Sequence, residues 1–326
     1  MARFHSRNPP PVFDATGGDK FLAEARRDLV MGRWQTTRDL LRDTGQEWGL
    51  RTHRMRLLAD TAAAGRAVES WQVAEPGSTD ALALRGETEV ARAFAAAAAA
   101  ARSGSPPSPH EHSLDPETLD RVGQICWEAT QANHADPVPW VSLLALARLY
   151  AGGHPRVWAW WDELRARDPY NREAHHQVLR HLSARWHGSH GATYDFARDC
   201  AAVAPAGTPL AVLAQAARVE HFRLLVRAEG TTSLVLTHHW KNEAALADLR
   251  VSVRQWLAHL VEPCAAHDVA DLNLLAHGLV EGGMLAEAAT AFHWLGNRAT
   301  QSPWAYGGDP EAVYASWRDR LIGPRR

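Results

Sequence analysis

Apolar residues in this chain recur three and four positions apart between closely set Gly and Pro breakers, the pattern of amphipathic helices paired into hairpins. Phe21, Leu22, Ala25 and Leu29 share one face of a helix that Asp19 caps and Gly32 ends. Trp158, Trp161 and Leu164 share another between Val157 and Arg167. Asp115-Pro116-Glu117 starts a helix in the favoured way, with Asp at the cap, Pro at the first position and Glu in the first turn. No stretch sustains strand-like alternation. Leu234–Thr237 is the one brief run with strand character, and it is too short to outweigh its surroundings. The expected class is all-α, built of stacked antiparallel helical hairpins.

Punctuation divides the chain further. Residues 1–18 are rich in Pro and Gly and aperiodic, which predicts an extended, mobile arm. Helical hairpins follow over 19–102. Ser103-Gly104-Ser105-Pro106-Pro107-Ser108-Pro109 opens a linker over 103–114 that separates them from a larger helical array over 115–326. Within that array, Asp168–Pro205 reads as a helix, an interrupted turn and a return helix. The clearest hairpin, Asp271–Val280 with Leu285–Asn297, is split by Gly282-Gly283.

Charge narrows the partner class. A formal net charge of −2 gives no basic surplus for phosphate backbones or anionic membranes, so neither nucleic acid nor a membrane is an expected partner. The cations are almost all Arg, with Lys only at positions 20 and 241; with the abundant Ala, this fits a GC-rich bacterial coding sequence. The segment MARFHSRNPPPVF lacks the apolar core of a secretory signal, and the run Ala93–Ala101 is too short to span a bilayer. The expected location is the bacterial cytoplasm. Fourteen Trp are many for 326 residues, and their large area suits hairpin cores and recognition surfaces alike.

Chemistry-bearing motifs are sparse. Cys126, Cys200 and Cys264 form no CxxC pair, and each reads as a small apolar residue within a helix. Eighteen His invite a metal reading, with His187 and His190 as an HxxH, His176 one helix earlier, and His110-Glu111-His112 in the linker. His187 and His190 straddle a Gly-Ser turn, however, and no HExxH is present. Ser189 stands between two His without a nucleophile elbow, and Gly17-Gly18-Asp19-Lys20 lacks the spacing of a phosphate-binding loop. No cofactor is implied.

The candidate site is the central turn. Arg185, Trp186, His187, Ser189 and His190 place a cation, an aromatic, two imidazoles and a hydroxyl on one interhelical loop. A structural reading of the same residues is equally concrete. In it Trp186 plugs the hairpin end, Gly188 supplies a positive φ, and Ser189 or Thr193 caps the return helix. Trp304 and Tyr306 carry the same two readings, as partner contacts or as cover for the end of the array.

In the last hairpin, Ala276, Leu279, Gly283, Ala288, Phe292 and Leu295 follow a small/large spacing that resembles a degenerate tetratricopeptide repeat, with Thr300 where the family places Pro. That resemblance implies a solenoid whose surface binds another polypeptide. The Arg-Trp-x-Gly-Ser turn, Phe196-Ala197, Ala204-Pro205 and the Pro-Trp-x-Tyr segment are also similar to a group of actinobacterial helical proteins, which implies no activity. The expected function is therefore a protein- or peptide-binding scaffold, with self-association as a further property of such arrays. The alternative is a metal- or small-molecule-binding helical protein, or an enzyme, that uses the His-rich segment 175–190.

Overall fold

The computed structural model describes residues 8–103, 114–231, 233–261 and 265–323, and every regular element among them is helical. Gly18–Ala192 form one compact unit, and Met1–Gly17 with Thr193–Arg326 form a second. The linker expected over 103–114 lies almost wholly outside the described residues, as do His110-Glu111-His112 and Cys264.

The first unit holds α1 (Lys20–Val30), α2 (Gln35–Thr44), α3 (Trp48–Ala62), α4 (Ala67–Ala74), α5 (Thr79–Ser103), α6 (Pro116–Ala132), α7 (Val138–Leu146), α8 (Val157–Arg167) and α9 (Arg172–His181). Local chemistry sets the helix starts. The carboxylates of Asp19 and Asp115 accept from the amides of Leu22 and Thr118, and the Asn171 side chain accepts from Ala174. Leu22, Leu41, Met55, Leu58, Trp71 and Leu84 pack α1–α5 around one core.

Helix α7 organises the rest of this unit. All nine of its residues are buried, and it touches α5, α6, α8 and α9. A helix buried all round has to be apolar all round, and VPWVSLLAL satisfies that. One 3₁₀ turn, Ala147–Leu149, then carries Arg148 into the same interior. Because α5 and α6 also pack on each other, the chain does not divide at the linker between them. The boundary falls inside α10 (His190–Val203), after its third residue.

The second unit continues with α11 (Leu213–Glu229), α12 (Leu234–Lys241), α13 (Glu243–Gln255), α14 (Val269–Glu281), α15 (Leu285–Leu295), α16 (Gln301–Trp304) and α17 (Pro310–Ile322). Leu234–Thr237 opens α12, where burial of Leu236 and Trp240 on one helical face overrides its local strand character. Residues 8–17 correct an expectation, for they are extended but tied down. Val12 exchanges backbone hydrogen bonds with Asn297 (2.7 Å) and Ala299 (2.9 Å), and Arg318 donates to the Pro9 carbonyl at 2.7 Å.

In the α14–α15 hairpin, Ala276, Leu279, Ala288, Phe292 and Leu295 are all sealed from solvent. Gly283 makes the turn with φ +77°, a conformation that L side chains rarely adopt. The small residues let the two helices approach, so Ala288→Trp is expected to cost about 1–3 kcal/mol or more by overpacking. An unchanged melting temperature would remove this account of the hairpin.

Candidate functional site

The turn between α9 and α10 is a set of backbone clamps. His187 N–H donates to the His181 carbonyl at 3.1 Å, and the N–H groups of Trp186 and Gly188 both donate to Ser183 at 2.9 and 3.2 Å. Gly188 does not supply the positive φ expected of it. It is needed for close approach instead, because a Cβ there would lie 2.2 Å from the Leu182 carbonyl oxygen. Ser189 caps α10 as expected, its Oγ accepting from Ala192 N–H at 3.1 Å.

The turn presents its aromatic residue to the interior of its own unit. Trp186 is half-buried, with its ring edge-on to Phe94 of α5 at 6.1 Å. The Arg148 guanidinium lies 4.8 Å from the Phe94 ring centre and 5.4 Å from that of Trp186. Arg185 sits 5.5 Å from the same indole. His187 Nε2 is 2.9 Å from the Arg148 carbonyl, which can only accept, so His187 carries a proton on Nε2. The His187 ring also packs on His181 at 4.9 Å, and His181 meets the edge of Trp158, which is 47% exposed.

Charge around this cluster is unevenly compensated. Burial alone would raise the Glu173 pKa, but Arg56, Arg180 and Arg172 outweigh it and hold the carboxyl well below the usual range. Arg56 donates to it in a short contact, Arg180 at 3.1 Å and Gln177 at 2.5 Å. Burial pushes Glu87 and Asp60 upward, and Ser142 donates to Glu87. Arg148 differs from the other guanidiniums here. It is 7% exposed, and among the described residues its Nε is sealed from solvent without an acceptor and no carboxylate makes an ion pair with it. Burial and then the neighbouring Arg180 and Arg56 depress its pKa well below the ordinary arginine value.

The histidines of 175–190 do not converge. His175 Nδ1 lies 2.7 Å from the Asn171 carbonyl, His176 is buried on α9, and His190 begins α10. Among the described residues, no group of three or more His, Cys, Asp or Glu is placed to hold a metal ion, the set His176, His187 and His190 included. Cys126 and Cys200 are both buried, as small apolar residues would be, and they form no disulfide among the described residues.

Trp304 and Tyr306 belong to the other compact unit. Trp304 is fully buried and donates from Nε1 to Asn273 at 2.8 Å, so it has no free surface of its own. Tyr306 is half-buried, with the Arg223 guanidinium 6.0 Å from its ring. A separate groove of about 340 Å³ is lined by Phe21, Glu24, Asp39, Asp43 and Arg54, and it shares no residue with the turn. Among the described residues no helix is long and apolar enough to cross a membrane.

Sequence reasoning found the turn but missed Arg148, Phe94, Arg56 and Glu173. One signal was available: Arg148 is the single charge in the otherwise apolar run from Trp140 to Tyr150. No protein-family model, curated protein or solved structure matches the chain.

Proposed function

We propose that this chain is a non-catalytic cytoplasmic binding protein, a tetratricopeptide-like array of helical hairpins that presents the α9–α10 turn to another polypeptide. The observation that carries this reading is the aromatic and guanidinium surface around the turn. Trp158 is exposed, Trp186 is half-buried, and Arg185 lies over the Trp186 ring. A similar pair with a half-buried indole recurs in the same unit at Arg156–Trp127 (5.2 Å), whereas Arg165 and Arg167 lie over the buried rings of Trp161 and Trp140 and belong to the packing. Trp and Arg are the side chains that most often dominate polypeptide interfaces, because each brings large area and directed polar contacts together. His187 and Gly188 shape the turn in this reading, and Trp304 serves only as packing.

The test is capture of a partner from lysate of the source organism, with a Trp186→Ala/His187→Ala/His190→Ala variant as control. One polypeptide retained by the wild type and lost by the still-folded variant is the expected result. Equal capture by both would move the interface elsewhere, and a concentration-dependent rise in mass by light scattering would replace a foreign partner with a second copy. Stoichiometric metal in untagged protein would favour the ligand-binding alternative instead.

A further inference from the structure

Arg148 is a buried guanidinium without a carboxylate partner among the described residues. Its backbone leaves the buried helix α7 and its carbonyl is held by His187, while its guanidinium lies 4.8 and 5.4 Å from the ring centres of Phe94 and Trp186, which stand edge-on to each other. The buried carboxylate of Glu173 is already engaged by Arg56, Arg172 and Arg180 and makes no ion pair with Arg148. Nε is sealed and unsatisfied, which costs free energy unless something else repays it. The two rings pack beside the guanidinium, and its terminal N–H groups form a fork suited to two oxygens of one oxyanion.

We propose that Arg148, packed beside Phe94 and Trp186 with Arg185 on the same indole, is a binding site for a phosphate-type oxyanion. A dianion suits the place better than a lone carboxylate, because Arg180, Arg56 and Arg185 surround Arg148 with charge of its own sign. A phosphate monoester carries about −1.5 to −2 near neutral pH and has three acceptor oxygens for such a cluster. The source of the anion rests on the proposed binding function: in a polypeptide ligand it is a phosphorylated side chain. The neighbouring rings then play two parts, holding the guanidinium in place and excluding water from one side of the anion.

The test uses the full chain and inorganic phosphate, titrated by calorimetry at constant ionic strength set with chloride. Wild type is expected to bind, and Arg148→Met, which keeps an unbranched apolar stem and removes the guanidinium, is expected to bind about tenfold more weakly or worse. Without phosphate, the Arg148→Met protein is expected to melt at or above the wild-type temperature, because an unpaired buried charge has been removed. Absence of binding by wild type, or equal affinity in the variant, overturns the site. Should Arg148→Met not fold, Arg148→Lys keeps the charge and loses the fork; its affinity is expected to fall, and unchanged affinity overturns the site as well. Blocked phosphoserine tested beside inorganic phosphate separates the sources, since tighter binding of the former identifies a phosphorylated side chain and the reverse a free anion. Phosphate binding needs no polypeptide, so failure of partner capture with phosphate binding intact would sink the scaffold function alone.

Discussion

Replacing Asp136 with alanine is expected to destabilise the chain by about 3–5 kcal/mol, the usual cost of leaving one member of a buried ion pair alone. Arg51 and Asp136 have side chains only 4% and 1% exposed. Arg51 donates to Asp136 Oδ2 from Nε at 3.0 Å and from Nη2 at 2.7 Å, and the same Nη2 reaches Asp80 at 2.6 Å. Asp136 Oδ1 also accepts from Val138 N–H at 2.9 Å, so this one carboxylate caps the central helix α7 as well. Asp80 would remain beside Arg51, which places the expected loss toward the lower end. Asp136→Asn retains an oxygen for the cap and isolates the charge. In that background Arg51→Met is expected to recover most of the loss, because the stranded guanidinium goes with it. Denaturant midpoints for the three proteins check this, and a loss below about 1 kcal/mol for Asp136→Ala would sink the account.

Acid is the second large effect. His277 of α14 is sealed among Trp240, Trp304 and Phe222, with ring centres 5.1, 5.2 and 5.7 Å away, and its Nδ1 has no hydrogen-bond partner among the described residues. Burial, with a smaller push from His239, lowers its pKa from 6.5 to about 3. The unfolded chain therefore takes up a proton near pH 6.5 that the folded chain refuses. The stability contributed by neutral His277 is fully present above pH 6.5 and is lost progressively as pH falls toward 3. His175 and His181, both lowered to about 4 by burial first, act in the same direction in the other compact unit. Glu87 and Asp60 act oppositely, since burial raises them and the fold accepts their protons early. The expected net result is a loss of a few kcal/mol between pH 7 and 4.5. His277→Phe should flatten that slope. Denaturation midpoints across this range measure it, and identical slopes for wild type and variant would show that His277 is not responsible.

The legible parts of the fold were those fixed by local chemistry. The bounds of α8 fall at Val157 and Arg167 as expected, although its buried face is Val157, Trp160, Trp161 and Leu164 and leaves Trp158 exposed, and Asp115-Pro116 starts α6 where its capping chemistry requires. Periodicity reports which face of a helix is apolar, but not which helix will cover it. Nothing in the Ala-rich stretch around Phe94 signals that its ring will meet Trp186, because that contact depends on how α5 and the turn pack about α7. The boundary inside α10 carries no Gly or Pro at Ala192-Thr193 and has no local signal at all. Gly188 was legible as a required glycine and illegible in its reason, since close approach to Leu182 is a property of the folded turn.

The tie between the first described residues and the last helix has a consequence for the order of synthesis. Asn8 donates to Asp319 and to the Gly323 carbonyl, the latter 315 positions later, and Pro9 and Val12 are bound by Arg318, Asn297 and Ala299. The segment that holds these residues therefore leaves the ribosome before any residue it binds exists. At about 5–20 residues per second it waits roughly 15–60 s for its partners. In that interval all of Gly18–Ala192 has emerged and can fold as a unit. The second unit, although its chain is started first, closes last.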